Sequence, residues 1–111
     1  MPRTLLVEDD PFTVRRLRRL LLMRGVCSVL HATTVAQALE LLEPPPDWVI
    51  LDMHLPDGTG LAVLEAIRKA GLPTRVIVSS ATKDAVLVAA FAAHKPDFII
   101  PKPLNAASLP F

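Results

Sequence analysis

Cysteine is almost absent from this sequence, which has a single one at position 27. A lone Cys27 cannot form an internal disulfide, and no second cysteine accompanies it as a metal ligand. Disulfide-stabilised scaffolds belong to oxidising compartments, so this cysteine usage favours a reducing cytoplasm.

Long hydrophobic runs and an excess of one charge are also missing. The longest apolar run, Ala85 to Ala93, is much shorter than the roughly 20 residues that a membrane-spanning helix needs. The stretch Leu5–Val7 is too short for a signal peptide and leads directly into acids. The formal net charge of +1 creates no global field for nucleic acid or an anionic membrane. We therefore expect neither as a direct partner.

Hydrophobic residues, in contrast, make up 51% of the 111 residues, enough for the core of one domain over residues 1–111. Short apolar runs rich in β-branched residues alternate with segments of helical period. Such continuous runs are typical of strands that are covered on both faces. They predict five strands, at residues 4–7, 27–30, 48–51, 76–78 and 98–100.

The segments between these runs carry helix-start signals. Asp10–Pro11 combines an N-cap residue with proline at the first helical position. Thr34 and Gln37 have the spacing of a capping box. Thr82 is the predicted cap of a later helix that runs to about His94. Between them, the spacing of leucine and isoleucine at positions 61, 64 and 67 predicts another helix.

Alternation of strands and helices predicts an α/β fold, a parallel sheet with helices on both faces. The segment after the last strand is the exception to this pattern. Only Leu104 to Phe111 remain there, and Pro110 would interrupt a helix. We therefore expect a fifth helix to be mostly missing.

Polar residues of a particular kind follow four of the five predicted strands. Glu8 and Asp9 follow the first, Asp52 ends the third, Ser80 follows the fourth and Lys102 follows the fifth. The carboxyl ends of parallel strands share one edge of the sheet, where open α/β sheets bind ligands. These five residues are therefore predicted to converge.

Their chemistry favours phosphoryl transfer. Clustered carboxylates raise each other's pKa unless a cation joins them, and an oxygen-only set favours Mg²⁺. The metal and the Lys102 ammonium would neutralise charge on a transferring phosphoryl group. The Ser80 hydroxyl can donate to a phosphate oxygen. Asp52 can act as a carboxylate nucleophile and form an acyl phosphate.

Over nearly its whole length the chain resembles the receiver domains of two-component response regulators. Four motifs in the right order carry the resemblance: Leu5 to Asp10, Leu51 to Gly60, Val78 to Ala81 and Pro101 to Pro103. The resemblance implies a flavodoxin-like doubly wound five-stranded sheet in the order 2-1-3-4-5.

It also implies that Asp52 is the phosphoacceptor. The implied Mg²⁺ ligands are Glu8, Asp9, Asp52 and the backbone carbonyl of His54. The implied partner is a sensor histidine kinase or a histidine phosphotransfer protein.

The sequence departs from the family pattern near the last strand. The usual aromatic switch residue, three positions before the lysine, is replaced by Ile99, with Phe98 one residue earlier. Lys95-Pro96 replaces the usual small pair. We therefore expect any change on phosphorylation to stay close to Ser80.

Simpler interpretations exist for several of these residues. The acids from Glu8 to Asp10 also suit the start of a helix. Ser80 and Lys102 could be ordinary loop residues. His54 could screen an acyl phosphate from water, whereas His31 and His94 are interpreted as surface residues. The arginines at positions 15, 16, 18 and 19 predict either a solvated helix face or a docking surface for a phosphodonor.

Three functions remain open from the sequence. The leading hypothesis is a switch that is phosphorylated on Asp52 and then dephosphorylates itself, without turnover of a separate substrate. A degenerate receiver that binds a partner without phosphorylation is the alternative. A flavin-binding domain of similar fold fits poorly, because acids stand where a phosphate-binding loop would be. A dehalogenase-type phosphatase fits poorly as well, because the motif Glu8-x-Asp10 begins with glutamate instead of aspartate.

The predicted fourth helix contains no charged residue between Ala85 and Ala93. An uncharged helix must expose apolar side chains unless something covers them. We therefore predict a homodimer, or contact with another partner, through Val86, Leu87 or Phe91 together with the edge formed by the fifth strand. The missing fifth helix is expected to leave Phe98 and Ile100 uncovered.

Overall fold

The structure is a computed structural model that describes residues 3–111. Its strands and helices alternate along the chain, and two short strands form a separate hairpin. In chain order they are β1 (Arg3–Val7), α1 (Pro11–Met23), β2 (Ser28–Ala32), α2 (Val35–Glu40), β3 (Trp48–Asp52), β4 (His54–Leu55), β5 (Gly58–Thr59), α3 (Leu61–Lys69), β6 (Arg75–Ser80), α4 (Ala85–Ala93) and β7 (Phe98–Pro101).

The five longer strands form one parallel sheet in the order β2-β1-β3-β6-β7. Without the two-residue strands β4 and β5, this order is 2-1-3-4-5. The predicted flavodoxin-like doubly wound sheet is therefore confirmed. In β3, Val49 and Leu51 point into one core cluster, whereas Trp48 and Ile50 point into the other. Successive side chains alternate across a strand, so both faces of the sheet are buried.

Helices cover the two faces unequally. Buried side chains of α2, α3 and α4 share one cluster with the sheet. The opposite cluster is covered by α1, through Val14, Leu17 and Leu21, and by the segment that follows β7. Within residues 3–111, no helix combines the length and apolar character that crossing a bilayer requires.

The segment after β7, residues 102–111, contains only a short 3₁₀ turn at Ala106–Ser108, so the expected fifth helix is mostly missing from these residues. Its Leu104 and Leu109 are nevertheless buried in the α1-side cluster. Ile100 packs against that cluster, so the expectation that it lies uncovered is wrong. Phe98 does stay 37% exposed.

Two of the predicted helix starts need correction. Asp10 accepts the Thr13 N–H and Thr34 accepts the Gln37 N–H, as predicted. The Gln37 side chain, however, accepts the Thr33 N–H instead of closing a capping box with the N-cap residue.

Helix α4 begins after Asp84, whose carboxylate accepts the N–H groups of Val86 and Leu87. Thr82 is therefore not the cap, and its hydroxyl accepts the Asp84 N–H. A carboxylate suits the positive end of a helix better than a neutral hydroxyl does.

The orientation of α4 also corrects part of the interface prediction. Phe91 is fully buried in the core, so it cannot belong to an exposed surface. Leu87 and Val88 are partly buried against the same cluster. Val86 alone of these apolar side chains is mostly exposed, at 80%.

Candidate functional site

The carboxyl edge of the sheet contains an open pocket between the ends of β1, β3 and β7. Glu8 and Asp9 follow β1 directly, Asp52 is the last residue of β3, and Lys102 follows β7. The pocket has a volume of ≈ 390 Å³ and is lined by Glu8, Asp9, Asp10, Asp52, His54, Leu55, Pro56, Ala81 and Lys102. The structure therefore brings together four of the five polar residues that the sequence predicts to converge.

Glu8 is the most constrained of these residues. Its carboxylate is buried, with Oε1 accepting a hydrogen bond from Lys102 Nζ at 2.8 Å. Oε2 lies 3.1 Å from the Asp9 nitrogen and 3.3 Å from the Asp10 nitrogen, and both N–H groups donate to it. The Glu8 N–H in turn donates to the Ala32 carbonyl at the end of β2. Glu8 is therefore fixed through its backbone and through both carboxylate oxygens.

Asp52 is also buried but is held less tightly. Its Oδ2 lies 3.3 Å from Lys102 Nζ, and its Oδ1 lies 3.5 Å from the His54 nitrogen, at the outer limit of a hydrogen bond. A carboxylate has about four acceptor positions. These contacts therefore leave Asp52 acceptor capacity on the pocket side.

The charges of this cluster oppose each other. Burial raises the pKa of Glu8, the Lys102 hydrogen bond lowers it, and the nearby Asp52 carboxylate raises it further, with a net rise. Burial alone would lower the pKa of Lys102, but the Glu8 and Asp52 carboxylates outweigh burial and raise it. Lys102 therefore stays protonated and compensates the acids only in part.

The acidic residues fit a hard divalent cation. One oxygen each from Glu8, Asp9 and Asp52 can lie within 4.8 Å of the others. Three carboxylates and the Lys102 ammonium together leave two negative charges, which a divalent ion would balance. Oxygen-only donors of this kind match the preferences of Mg²⁺. Asp9 is exposed and His54 lies in the pocket wall, so both are accessible from solvent.

Ser80 is the predicted site residue that does not line the pocket. Its hydroxyl oxygen accepts the Thr82 N–H at 3.2 Å, and its backbone carbonyl accepts the Lys102 N–H at 2.8 Å. The next residue, Ala81, lines the pocket instead. Because Ser80 Oγ acts as an acceptor here, its own proton is available for another partner.

The loop at residues 53–60 supports the site in a way that the sequence reasoning missed. It folds as the β4–β5 hairpin, and the Gly60 N–H donates to the Met53 carbonyl at 2.9 Å. A Cβ at Gly60 would lie 2.2 Å from the Asp52 carbonyl oxygen, so only glycine permits this close return. The Asp57-Gly58 pair, a common turn signal, could have indicated the hairpin.

The remaining histidines and arginines lie outside the pocket lining. His31 Nε2 lies 2.9 Å from the Glu8 carbonyl oxygen, and His94 Nδ1 lies 3.0 Å from the Ala90 carbonyl oxygen. On α1, Arg16 donates to the Leu104 carbonyl, and the arginines at positions 15, 18 and 19 are exposed.

Comparison with known proteins agrees with this geometry. The model of the response regulator receiver domain family matches residues 4–110. The transcriptional regulatory protein KdpE of Mycobacterium tuberculosis (strain ATCC 25618 / H37Rv) is 45% identical over 85 residues, which are 76% of this chain and 37% of that protein. The chemotaxis protein CheY of Bacillus subtilis (strain 168) is 32% identical over 106 residues, 94% of this chain and 88% of CheY.

Solved structures give the same result. The signal receiver domain of the response regulator NarL from Mycobacterium tuberculosis, described as putative, superimposes with a TM-score of 0.84 at 29% identity. That match covers 96% of this chain and 88% of that one. The chain nevertheless spans less than half the length of the KdpE transcriptional regulators that it matches.

Proposed function

The chain belongs to the response regulator receiver domain family, and on that premise we propose that Asp52 accepts a phosphoryl group in signal transduction. The observation that carries the proposal is the position of the Asp52 carboxylate. It lies 3.3 Å from the Lys102 ammonium, and carboxylate oxygens of Glu8 and Asp9 lie within 4.8 Å. A nucleophilic oxygen, a fixed cation and a site for a divalent ion thus share one pocket.

The proposed reaction transfers a phosphoryl group from a phosphohistidine to Asp52. A carboxylate oxygen of Asp52 attacks phosphorus, and the new P–O bond forms while the P–N bond to the donor imidazole breaks. The leaving imidazole takes up a proton. Hydrolysis reverses the state when a water oxygen attacks the same phosphorus, which releases inorganic phosphate and regenerates the carboxylate.

Mg²⁺ is the proposed cofactor, held by Glu8, Asp9, Asp52 and the His54 backbone carbonyl. When bound, it supplies positive charge that offsets repulsion between the acids and the incoming phosphoryl oxygens. The carboxylates suit this role because they are oxygen donors with an uncompensated negative charge.

Lys102 and Ser80 are the proposed phosphoryl contacts. The Lys102 ammonium already lies between Glu8 and Asp52, so it can pair with a phosphoryl oxygen with little movement. Ser80 would need to turn its hydroxyl from the Thr82 N–H towards the pocket. Phosphorylation adds about −1.5 to −2 charge, which favours both movements.

Response regulator receiver domains are regulatory, and they interact with histidine kinases. We propose a sensor histidine kinase or histidine phosphotransfer protein as the phosphodonor and the cytoplasm as the location. Residues 1–111 are proposed to act as one receiver domain whose only catalysis is its own phosphorylation and dephosphorylation.

Self-association through α4 is proposed as a further property of the switch. The exposed side chain of Val86 and the 37% exposed Phe98 at the edge strand β7 support it. Phe91 takes no part, because it is buried in the core.

The proposal is tested by incubating the protein with acetyl phosphate and Mg²⁺ and measuring the intact mass. The wild type is expected to gain one phosphoryl group, Asp52→Asn none, and Asp9→Ala the same group more slowly. Asp47→Asn is the matched control, because Asp47 accepts the Arg3 N–H beside the opposite end of the sheet. Equal gain in wild type and Asp52→Asn would contradict the proposal.

The alternative function, a degenerate receiver that binds a partner without phosphorylation, has a different outcome. It requires neither Mg²⁺ affinity nor a mass gain in the wild type. The acidic cluster weighs against it, because its buried members Glu8 and Asp52 are costly to keep close together without a cation.

A further inference from the structure

We propose that Asp57 is a positioning residue for the phosphorylation site. Its carboxylate forms hydrogen bonds that fix the loop at residues 53–60 to the start of α2. The inference rests on the proposed function, because the loop contributes one wall of the proposed metal and phosphoryl pocket. Asp57 itself does not line that pocket.

The loop is anchored firmly at its base. It leaves the sheet at Asp52 and returns at Gly60, whose backbone approaches the Asp52 carbonyl too closely for any side chain. The Gly60 N–H also donates to the Met53 carbonyl. The buried side chain of Leu55 adds to this anchor, whereas the neighbouring His54 is exposed.

The tip of the loop has no comparable packing. Residues 56–59 are exposed, and the hairpin pairs only two residues from each strand. The carboxylate of Asp57 fixes the tip of the loop through hydrogen bonds instead. Its Oδ1 accepts the Val35 N–H at 2.8 Å and its Oδ2 accepts the Ala36 N–H at 3.1 Å. Both donors belong to the first turn of α2, where N–H groups lack partners inside the helix.

These two bonds close a ring of contacts around the pocket. Helix α2 starts shortly after β2, and the Ala32 carbonyl at the end of β2 accepts the Glu8 N–H. Glu8 pairs with Lys102, and Lys102 reaches Asp52, where the loop begins. Asp57 therefore connects two sides of the pocket. His54, Leu55 and Pro56 lie on one side, and Glu8 and Asp9 lie on the other.

The hydrogen bonds are strong enough to serve this role. Both oxygens of a charged carboxylate accept backbone N–H groups at a helix N-terminus, an arrangement stronger than a neutral hydrogen bond. The Val35 N–H lowers the pKa of Asp57, which agrees with a carboxylate stabilised in its ionised form. Loss of these bonds would free the tip and, with it, the His54 backbone that faces Asp52.

A simpler role would be a cap that stabilises α2 and nothing else. Thr34 provides a matched control, because its hydroxyl caps the same helix by accepting the Gln37 N–H at 3.1 Å and forms no hydrogen bond with residues 53–60. If Asp57 only stabilised α2, Asp57→Ala and Thr34→Ala would have the same effect on the pocket.

The test makes two measurements on the wild type, Asp57→Ala, Asp57→Asn and Thr34→Ala. Calorimetry gives the Mg²⁺ dissociation constant, and amide hydrogen exchange is followed at His54 and Leu55. We expect Asp57→Ala to bind Mg²⁺ about 10-fold more weakly, as is typical when a residue that orients metal ligands is lost. Exchange at His54 should become faster in the same variant. Asp57→Asn, which keeps one acceptor oxygen, should have an affinity and an exchange rate between those of the wild type and Asp57→Ala. Thr34→Ala should match the wild type in both measurements.

Unchanged Mg²⁺ affinity in Asp57→Ala, or equal weakening in Thr34→Ala, would overturn the positioning role and leave the proposed function standing. A wild type that does not bind Mg²⁺ at all would overturn the proposed function and this inference with it. If Asp57→Ala does not fold, Asp57→Asn decides the question, and wild-type affinity in that variant contradicts the inference.

Discussion

Glu8 and Lys102 are 94 positions apart in the sequence, yet their side chains meet at 2.8 Å. The fold places them there because each follows a parallel strand of the same sheet. That convergence was predictable from polar residues placed directly after apolar strands. The orientation of Ser80 was not, because a buried hydroxyl can turn towards any nearby donor or acceptor without a trace in the sequence.

Gly60 is expected to be essential for the position of Asp52. In Gly60→Ala the new Cβ would meet the Asp52 carbonyl oxygen and the Leu51 side chain, with separations of 2.2 to 3.0 Å. We expect a loss of about 1–3 kcal/mol in the free energy of unfolding, a typical cost of overpacking. Urea unfolding measures that loss, and phosphorylation by acetyl phosphate should slow in the same variant.

Gly71 provides the control for this substitution, because a Cβ there would lie more than 4 Å from all atoms beyond its chain neighbours, although its φ of +64° strains any other residue. Gly71→Ala should therefore lose stability but keep the phosphorylation rate. Wild-type phosphorylation in Gly60→Ala would show that the close approach does not position Asp52.

Asp57 gives an expected pH dependence. Its folded-state pKa lies below the ordinary value of 3.8, first because of the Val35 N–H and also because of the Ala36 N–H. Its stabilising contribution is therefore complete above that value and is lost as the pH falls through the lowered folded-state pKa. The stability difference between wild type and Asp57→Asn should shrink below about pH 4. Urea unfolding from pH 6 downwards, in steps of about half a unit, would show it; a constant difference would contradict it.

At the scale of elements, the segment after β7 covers part of the α1-side core without forming an α-helix within residues 102–111. Leu104 and Leu109 are buried against α1, and Phe111 lies 5.0 Å from Trp48 between ring centroids. The side chains of Arg16 and Arg24 donate to the backbone carbonyls of this segment. Pro110 indicated that a regular helix would be interrupted in this segment. Nothing in the sequence indicated that an irregular segment would still bury its leucines.

Leu109→Ala is expected to lower the free energy of unfolding by about 2–5 kcal/mol, because it removes a buried side chain from the α1-side cluster. Leu22→Ala is the matched control. Leu22 is 65% exposed on α1, so its truncation should change stability by no more than about 0.5 kcal/mol. Chemical denaturation of both variants measures the difference, and equal effects would mean that the segment does not stabilise the fold.

Helix boundaries were predictable where one cap residue was available and failed where two competed. Asp10 before Pro11 left no alternative, and α1 begins there. At α4, Thr82 and Asp84 could both cap the helix, and the charged residue does so. The strand β2 was placed at residues 27–30 but spans Ser28–Ala32, because its polar residues weaken the apolar signal at its ends.

For the whole molecule, the apolar strand pattern predicted a parallel sheet, while the strand order came from the resemblance to receiver domains. Pattern alone did not order the strands, because a short apolar run does not indicate which other strand lies beside it. The rotation of α4 was not predictable for a related reason. All nine residues from Ala85 to Ala93 are apolar, so nothing in the sequence distinguishes the buried Phe91 from the exposed Val86.

Val86→Lys tests the proposed self-association of the molecule. Because Val86 is 80% exposed, the substitution should alter the free energy of unfolding by no more than about 0.5 kcal/mol. Light scattering over a concentration series should show a dimer for the wild type and a monomer for the variant. Lys83→Met, which leaves Val86 intact beside the same helix, should remain a dimer. A wild type that is monomeric at every concentration would contradict the proposal.

The central claim, that Asp52 carries the phosphoryl group, is tested most directly by chemical identification of the modified residue. Borohydride reduces an aspartyl phosphate to homoserine, which tandem mass spectrometry locates within a peptide. After phosphorylation by acetyl phosphate with Mg²⁺, we expect homoserine at position 52, and none when Mg²⁺ is replaced by a chelator. Homoserine at position 9 or at another acid, or none at any position, would contradict the assignment of Asp52.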